Sequence, residues 1–193
     1  KGSYEPVVQL ITPKKKQMVT AGLEYAFNKN TSLAVEAAVS NNDLNTFSSA
    51  DSKDDAGYGL KLNFNNQVPF SKKEVINNAG DTSRSELLLL SNVNYEFVQK
   101  NFSPIERYRS IEFERDWNRS SATIVGDQHI IGAGVGLLKK EIGSIGYRFN
   151  AFFEDKNYNA TKHFLNFNAT KKSTSIFYDG SLLNSRSINN TSF

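Results

Sequence analysis

The feature that most constrains this chain is a regular alternation of apolar side chains with small or polar ones. Residues 19–39 read VTAGLEYAFNKNTSLAVEAAV and contain two alternating runs on either side of Asn28-Lys29-Asn30. Successive side chains of a β-strand point to opposite faces, so each run predicts a strand with one apolar face and one mildly polar face. Together the runs predict a hairpin, and the question is whether its apolar face meets a protein core or lipid.

The same alternation recurs through most of the chain. In further runs nearly every second residue is apolar, so that either the odd-numbered or the even-numbered positions (one parity of the run) are mostly apolar. These runs are at 58–64, 87–97, 131–137, 145–153, 165–169 and 176–182. Helical spacing of apolar residues is almost absent, since the best helical candidate, residues 71–78, is short and has no apolar stripe. Residues 1–193 are therefore predicted to form a single all-β domain or barrel segment, an antiparallel up-and-down meander of eight or more strands.

The connectors between these runs differ in length. Three are predicted to be tight turns, at 28–30, 139–141 and 171–173, whereas longer polar connectors are predicted at 41–55, 66–83, 99–105 and 154–160. In a transmembrane barrel, short turns collect at one rim and long loops at the other. The connector at 66–83 breaks that order, which leaves three alternatives: an extra strand near 67–70, a segment that does not span, or a stitched or truncated chain.

The apolar parity could face a protein core, as in a soluble sandwich or lipocalin-like barrel, or lipid, as in a transmembrane barrel. Three features favour lipid. The opposite parity is mostly Gly, Ala and Ser, which make a poor solvent surface but suit a curved barrel interior. Runs of about 9–11 residues have the length that a tilted transmembrane strand needs. Aromatic residues near strand ends, such as Tyr25, Phe27, Phe149 and Phe153, are typical of an interfacial belt.

A few polar residues on the non-apolar parity are predicted to line the lumen of such a barrel. If the strands that flank the 41–55 connector are neighbours, two of these residues, Glu36 and Lys61, fall near cross-strand register. The lumen-facing candidates are Glu24, Glu36, Lys61, Arg148 and Asn150.

One segment, residues 105–118 with the sequence IERYRSIEFERDWN, does not have one wholly apolar parity and one small or polar parity. Read as a strand, it would place three Arg on the apolar parity, at about 2–4 kcal/mol each near the middle of a bilayer. We therefore expect this strand to project beyond the bilayer or to lie against protein. Its charges favour an ion-pair network with neighbouring strands over a cation site, and the candidates are Arg107, Arg109, Glu112, Glu114, Arg115 and Asp116.

The Phe/Tyr-rich alternation, the Asn/Asp/Ser loops and above all the run ERYRSIEFERDWN resemble segments of large outer-membrane β-barrel proteins from Bacteroidota-type Gram-negative bacteria. This resemblance extends over most of residues 17–185. It implies a membrane-embedded antiparallel barrel used for transport, assembly or scaffolding, and it implies no catalytic residues. The chain departs from many such barrels at its end, because residues 187–192 before Phe193 lack alternating apolar positions and are expected to form a loop.

Other kinds of chemistry find little support in the composition. The chain has no cysteine, which excludes disulfides and thiolate sites, and only two histidines, His129 and His163, which are interpreted as partnered or solvent-facing side chains rather than metal ligands. A formal charge of +3 without a basic, aromatic patch disfavours a nucleic-acid partner. Glycines 132, 134 and 136 share one strand parity, so they do not form a phosphate-binding loop. No catalytic, cofactor-binding or metal-binding residue is predicted.

These observations predict a non-enzymatic β-barrel protein of the bacterial outer membrane with a porin-like pore or transport role, or a role in assembly or scaffolding. The expected partners are outer-membrane lipid and other envelope protein subunits. The alternative is a soluble β-sandwich or barrel, secreted or at the cell surface, that binds glycans or a protein through its Asn-rich loops.

Overall fold

The computed structural model describes residues 11–50, 52–76, 82–119 and 126–187, with the side chains of 71–76 and 82–85 left out. These residues form eight β-strands and one short helix. The strands are β1 (Lys15–Asn28), β2 (Thr31–Asp43), β3 (Ala56–Ile76), β4 (Thr82–Val98), β5 (Gln128–Lys139), β6 (Gly143–Glu154), β7 (Tyr158–Lys171) and β8 (Thr174–Ser187), and α1 is Phe113–Asp116.

The strands form one sheet in which each is hydrogen-bonded to its neighbours in the sequence, in the order β1 to β8. All seven pairings are antiparallel, which confirms the predicted up-and-down meander. The sheet is open, because β1 and β8 do not pair within the described part of the chain. The tight turns predicted near 28–30, 139–141 and 171–173 are also present.

The prediction of a long connector at 66–83 was wrong. Strand β3 continues to Ile76 and pairs with β4 from Thr82, so the two strands extend the hairpin and leave only 77–81 outside the described residues. This extension contains no additional strand, and residues 67–70 belong to β3. Pro69 is tolerated there because β2 no longer pairs with this part of β3, and the register shifts between Pro69 and Ser71.

Two further connector predictions were wrong. The connector predicted at 154–160 is a three-residue turn, because β6 ends at Glu154 and β7 begins at Tyr158. The connector predicted at 99–105 is not followed by the strand that was predicted at 105–118. After β4 the chain forms no strand between residue 99 and residue 119, and the segment at 105–118 contains turns and the helix α1 instead. We call residues 99–119 the inserted connector.

The sheet has two different faces. The inserted connector packs on the face that carries Lys61, Glu96 and Phe152, which we call the connector face. The opposite face carries Leu23, Val35 and Leu62, which stand side by side on β1, β2 and β3, and we call it the apolar face. The main buried cluster lies between the inserted connector and the connector face and contains Trp117, Phe152, Tyr158 and Ala160.

The strand ends are staggered across the sheet. Residues that are joined from strand to strand as cross-strand partners form a row across the sheet. The row that starts at Thr31, where β2 begins, reaches β7 at Leu165, which is six residues before β7 ends at Lys171. At the opposite rim, the row through Tyr158, where β7 begins, leads back to Thr20, five residues after β1 begins at Lys15. Both rims are therefore displaced in the same direction.

This stagger corresponds to a definite strand tilt. Six residues of strand span about 20 Å, and the five steps from β2 to β7 span about 24 Å. The first rim is therefore inclined by about 40° to the hydrogen-bonding direction. The second rim rises by about 17 Å over the six steps from β1 to β7, which span about 29 Å, so it is inclined by about 30°. The mean of about 35° lies at the lower end of the strand tilts found in closed barrels. Among the described residues, no helix is long and apolar enough to cross a membrane.

Candidate functional site

The apolar face is uncovered by any described part of the chain. Val19 is 71% exposed, Leu23 is 67% exposed and Leu182 is 61% exposed, although all three are large apolar residues in regular strands. The exposed apolar side chains on this face are Val19, Leu23, Tyr25, Phe27, Val39, Tyr58, Val68, Val93, Ile131, Val135, Leu137, Ile145, Tyr147, Leu165, Phe167, Ile176, Tyr178 and Leu182. A contiguous apolar surface of this extent is typical of a face that contacts lipid or protein.

The boundary of this apolar band follows the stagger of the strands. On β1 the band begins at Val19, after Gln17 on the same face, whereas on β8 it begins at Leu182, next to Asn184. The row through Leu182 leads back to Tyr25, six residues beyond Val19. The boundary of the band thus shifts by six residues over the seven steps from β1 to β8, an inclination of about 30° in the same direction as the rims. The band therefore forms a belt that follows the stagger of the strand ends.

The five predicted lumen-facing residues share the connector face. Glu36 and Lys61 are direct cross-strand partners, and Lys61 is in turn paired with Glu96 on β4. The Lys61 ammonium nitrogen lies 3.8 Å from a Glu96 carboxylate oxygen. Glu24, Arg148 and Asn150 have the same side-chain parity across the sheet.

Asparagine side chains lie over glycines in the middle of the connector face. A Cβ atom on Gly132 would meet the Asn94 amide, and one on Gly134 or Gly146 would meet the amide of Asn92 or Asn166, respectively. The glycines thus make room for amide groups that cover the sheet backbone. An adjoining open trough of about 420 Å³ is lined by Arg148, Phe164, Asn166 and Asp179 among others. The lining combines amide and charged groups with apolar side chains such as Leu90 and Phe164, and most of it is uncharged.

The inserted connector reaches the connector face through a contact that only glycine permits. A Cβ atom on Gly57 would overlap the backbone of Asn101 and Phe102, and the Phe102 ring lies 3.4 Å from a Cβ position on Gly59. The Ser103 amide donates a hydrogen bond to the Ser40 hydroxyl at 2.9 Å, and Ser40 is fully buried. The chain therefore turns back over β2 and β3 as soon as β4 has ended.

Arg109 links the middle of the inserted connector to β4 and β5. Its guanidinium donates to the Glu96 carboxylate at 2.6 and 2.9 Å and to the Gln128 side-chain oxygen at 2.5 Å. The same guanidinium lies 4.2 Å from the ring centroid of Phe113. Burial raises the pKa of the neighbouring Tyr108 phenol to about 12, although the positive charge of Arg109 opposes this effect.

A second arginine holds the end of the inserted connector against β6. Arg119 forms an ion pair with Glu154 at 2.7 Å and another with Glu114 at 3.3 Å. Burial raises the pKa of the Glu114 carboxyl, with Arg119 acting in the opposite direction. Close by, the Trp117 and Phe152 rings pack edge to face with centroids 5.4 Å apart, and the Tyr158 hydroxyl donates to the Trp117 carbonyl.

The structure divides the predicted ion-pair residues into three groups. Arg109 and Glu114 contact the partners described above, whereas Arg115 pairs at the exposed surface of α1 with Glu112 at 2.5 Å and Asp116 at 3.5 Å. Arg107 has no ion pair among the described residues and lines a cavity beside Met18 and Glu36. Partners that the sequence interpretation missed are Glu96, Arg119, Gln128 and Glu154. No local pattern identifies them, because each lies far along the chain from its contact or, like Arg119, just outside the motif.

Both histidines lie on the apolar face, and each contacts a tyrosine. The Tyr95 hydroxyl lies 2.8 Å from Nδ1 of His129, and the Tyr147 hydroxyl lies 2.8 Å from Nδ1 of His163. Each histidine therefore has a hydrogen-bond partner within the sheet.

No protein-family model, curated protein or solved structure matches this chain.

Proposed function

We propose that this chain forms part of the wall of a transmembrane β-barrel in a bacterial outer membrane, with a non-enzymatic role as a pore, transporter or assembly subunit. The uncovered apolar face carries this proposal. An aqueous environment would leave large side chains such as Val19, Leu23 and Leu182 in water, at a cost of about 25 cal/mol for each Å² of apolar surface. Lipid hydrocarbon removes that cost without a second protein layer.

The stagger of the sheet supports the same function. A mean rim inclination of about 35° is within the range of tilts of strands that close into a barrel. The apolar belt is displaced together with the strand ends, so it would remain at one membrane depth around the curved wall. A sheet whose apolar face packed on a flat protein layer would need no such relation.

The free edges of β1 and β8 are expected to pair with further strands in the membrane, because each unpaired backbone group in hydrocarbon costs several kcal/mol. Closure of these eight strands on themselves would leave an interior just wide enough for side chains. The inserted connector, with Tyr108, Phe113 and Trp117, already packs on the connector face. The wall therefore belongs to a barrel of more than eight strands.

The connector face would line the lumen of this barrel. Its asparagine amides, its glycines and the Glu36–Lys61–Glu96 row provide a polar wall suited to water and hydrophilic solutes. The inserted connector lies against this wall at one rim and would narrow the passage there. This arrangement suits passage through the barrel, or the mounting of other envelope subunits at that rim.

Vesicle flotation tests the proposal. The chain is refolded with phospholipid vesicles, centrifuged in a density gradient and washed with urea. We expect the protein to float with the vesicles, to resist the wash and to migrate on a gel in a heat-modifiable manner. A chain that stays monomeric in buffer without lipid or detergent, and that does not float, would refute a membrane location.

A further inference from the structure

Two nearly identical side-chain clusters occur on the apolar face. In each cluster a tyrosine and a phenylalanine occupy alternate positions of one strand, and a histidine on the next strand stands directly opposite the phenylalanine. The ring centroids of Phe97 and His129 are 5.0 Å apart, and those of Phe149 and His163 are 5.2 Å apart. The clusters lie two strands apart, so one arrangement is built twice.

Both clusters lie at the same boundary of the apolar belt. His129 comes before Ile131 and is the first residue of β5 on this face, while His163 separates the polar Thr161 from Leu165 on β7. The row through His129 meets β7 at Asn159, four residues from His163, in the direction of the stagger. With strands tilted by about 35°, the two histidines lie within about 5 Å of one membrane depth.

The tyrosine contact favours one tautomer of each histidine. A phenol O–H is a stronger hydrogen-bond donor than the N–H of a neutral imidazole, which favours donation from the tyrosine hydroxyl to Nδ1. In that tautomer the hydrogen of the neutral ring is on Nε2. Nε2 lies across the ring from the tyrosine and has no hydrogen-bond partner among the described residues.

We propose that His129 and His163 each donate an Nε2–H hydrogen bond to the phosphate group of a membrane lipid. The inference rests on the proposed membrane location. At the edge of the hydrocarbon layer the headgroup phosphate supplies anionic oxygen acceptors, and an N–H donor there gains a hydrogen bond of about 2.8 Å. The flanking Phe97 and Phe149 rings contact the acyl chains, and the tyrosines hold the imidazoles in the donating tautomer.

Solid-state NMR tests this directly. The chain is labelled with ¹⁵N-histidine and reconstituted in vesicles of phosphatidylcholine and phosphatidylglycerol, and dephasing of the nitrogen signals by lipid ³¹P is measured. We expect loss of the Nε2 signals with the Nδ1 signals retained, and the variants His129→Gln and His163→Gln assign each signal. In Tyr95→Phe, Nδ1 of His129 should shift towards the value of a mixture of tautomers.

Two negative results have different meanings. If the protein floats with vesicles but neither Nε2 signal is dephased by ³¹P, the lipid phosphate site is refuted and the membrane location stands. If the protein does not float, the proposed function itself fails.

Discussion

Arg119 and Glu154 form an ion pair at 2.7 Å in which the side chains are only 5% and 3% exposed, between the end of the inserted connector and the end of β6. Removing one partner of a buried pair leaves an uncompensated charge, which typically costs about 3–5 kcal/mol. We therefore expect Arg119→Ala to lower the free energy of unfolding by about that amount, measured by urea denaturation in vesicles.

Arg115 provides the matched control for this variant. It also pairs with a carboxylate, that of Glu112, but its side chain is 73% exposed. Exposed pairs contribute about 0–1 kcal/mol, so Arg115→Ala should change stability little. Equal effects of the two substitutions would mean that Arg119 does not anchor the inserted connector.

Gly57 should be essential for the position of the inserted connector. In Gly57→Ala the new Cβ would overlap the backbone of Asn101 and Phe102, and overpacking of this kind costs about 1–3 kcal/mol. We expect the connector to detach from the sheet, so that trypsin cleaves after Arg107 faster than in the wild type, and any pore conductance to increase.

Gly22 is the comparison site on the same face. The nearest atom to a Cβ placed there is the Val35 carbonyl oxygen at 3.7 Å, an ordinary contact. Gly22→Ala should leave cleavage and conductance unchanged. If Gly57→Ala has the same cleavage rate and conductance as the wild type, the inserted connector does not pack on β3 at Gly57.

The phenol of Tyr108 should stay neutral at a pH at which exposed tyrosines ionise. Its pKa is raised from 10.0 to about 12 by burial. The native state thus holds this proton more tightly than the unfolded chain does, and the resulting stabilisation is complete below pH 10 and is lost as the pH rises through 12. The difference in tyrosinate absorbance between the wild type and Tyr108→Phe measures this titration, and ionisation of Tyr108 near pH 10 would contradict its burial.

Adjacent residues of β2 should respond differently to a positive charge. Val35 lies on the apolar face, and Val35→Lys should cost about 2–4 kcal/mol if that position is near the middle of a bilayer. Ala34 lies on the connector face directly opposite Glu24, so Ala34→Lys should be tolerated. The unfolding free energies of both variants in vesicles check this, and equal costs would exclude opposite environments for the two faces.

The sequence was sufficient to predict the strands because their alternation is local. The parity of Glu36 and Lys61, and even their cross-strand pairing, follows from counting residues along a hairpin. Residues 66–76 were misread because Pro69 and the polar residues around it suggest a loop, whereas β3 at that point pairs with β4 alone and tolerates them.

The inserted connector was not predictable from local pattern. Alternating Arg and Glu in residues 105–118 fits a strand as well as it fits turns, and the deciding contacts are distant in sequence. Gly57 permits the approach of Phe102, and Glu96 with Gln128 holds Arg109. These relations depend on the register of the whole sheet and not on any single segment.

The central claim is that the apolar face contacts lipid and the connector face contacts water. The chain has no cysteine, so single cysteines at Leu60, Lys61, Leu62, Asn63 and Phe64 can each carry a spin label in vesicles. We predict that labels at 60, 62 and 64 are accessible to lipid-soluble oxygen and protected from an aqueous nickel chelate, with the reverse at 61 and 63. Equal accessibility at all five positions would contradict the account, and so would oxygen accessibility at 61 and 63 with nickel accessibility at 60, 62 and 64.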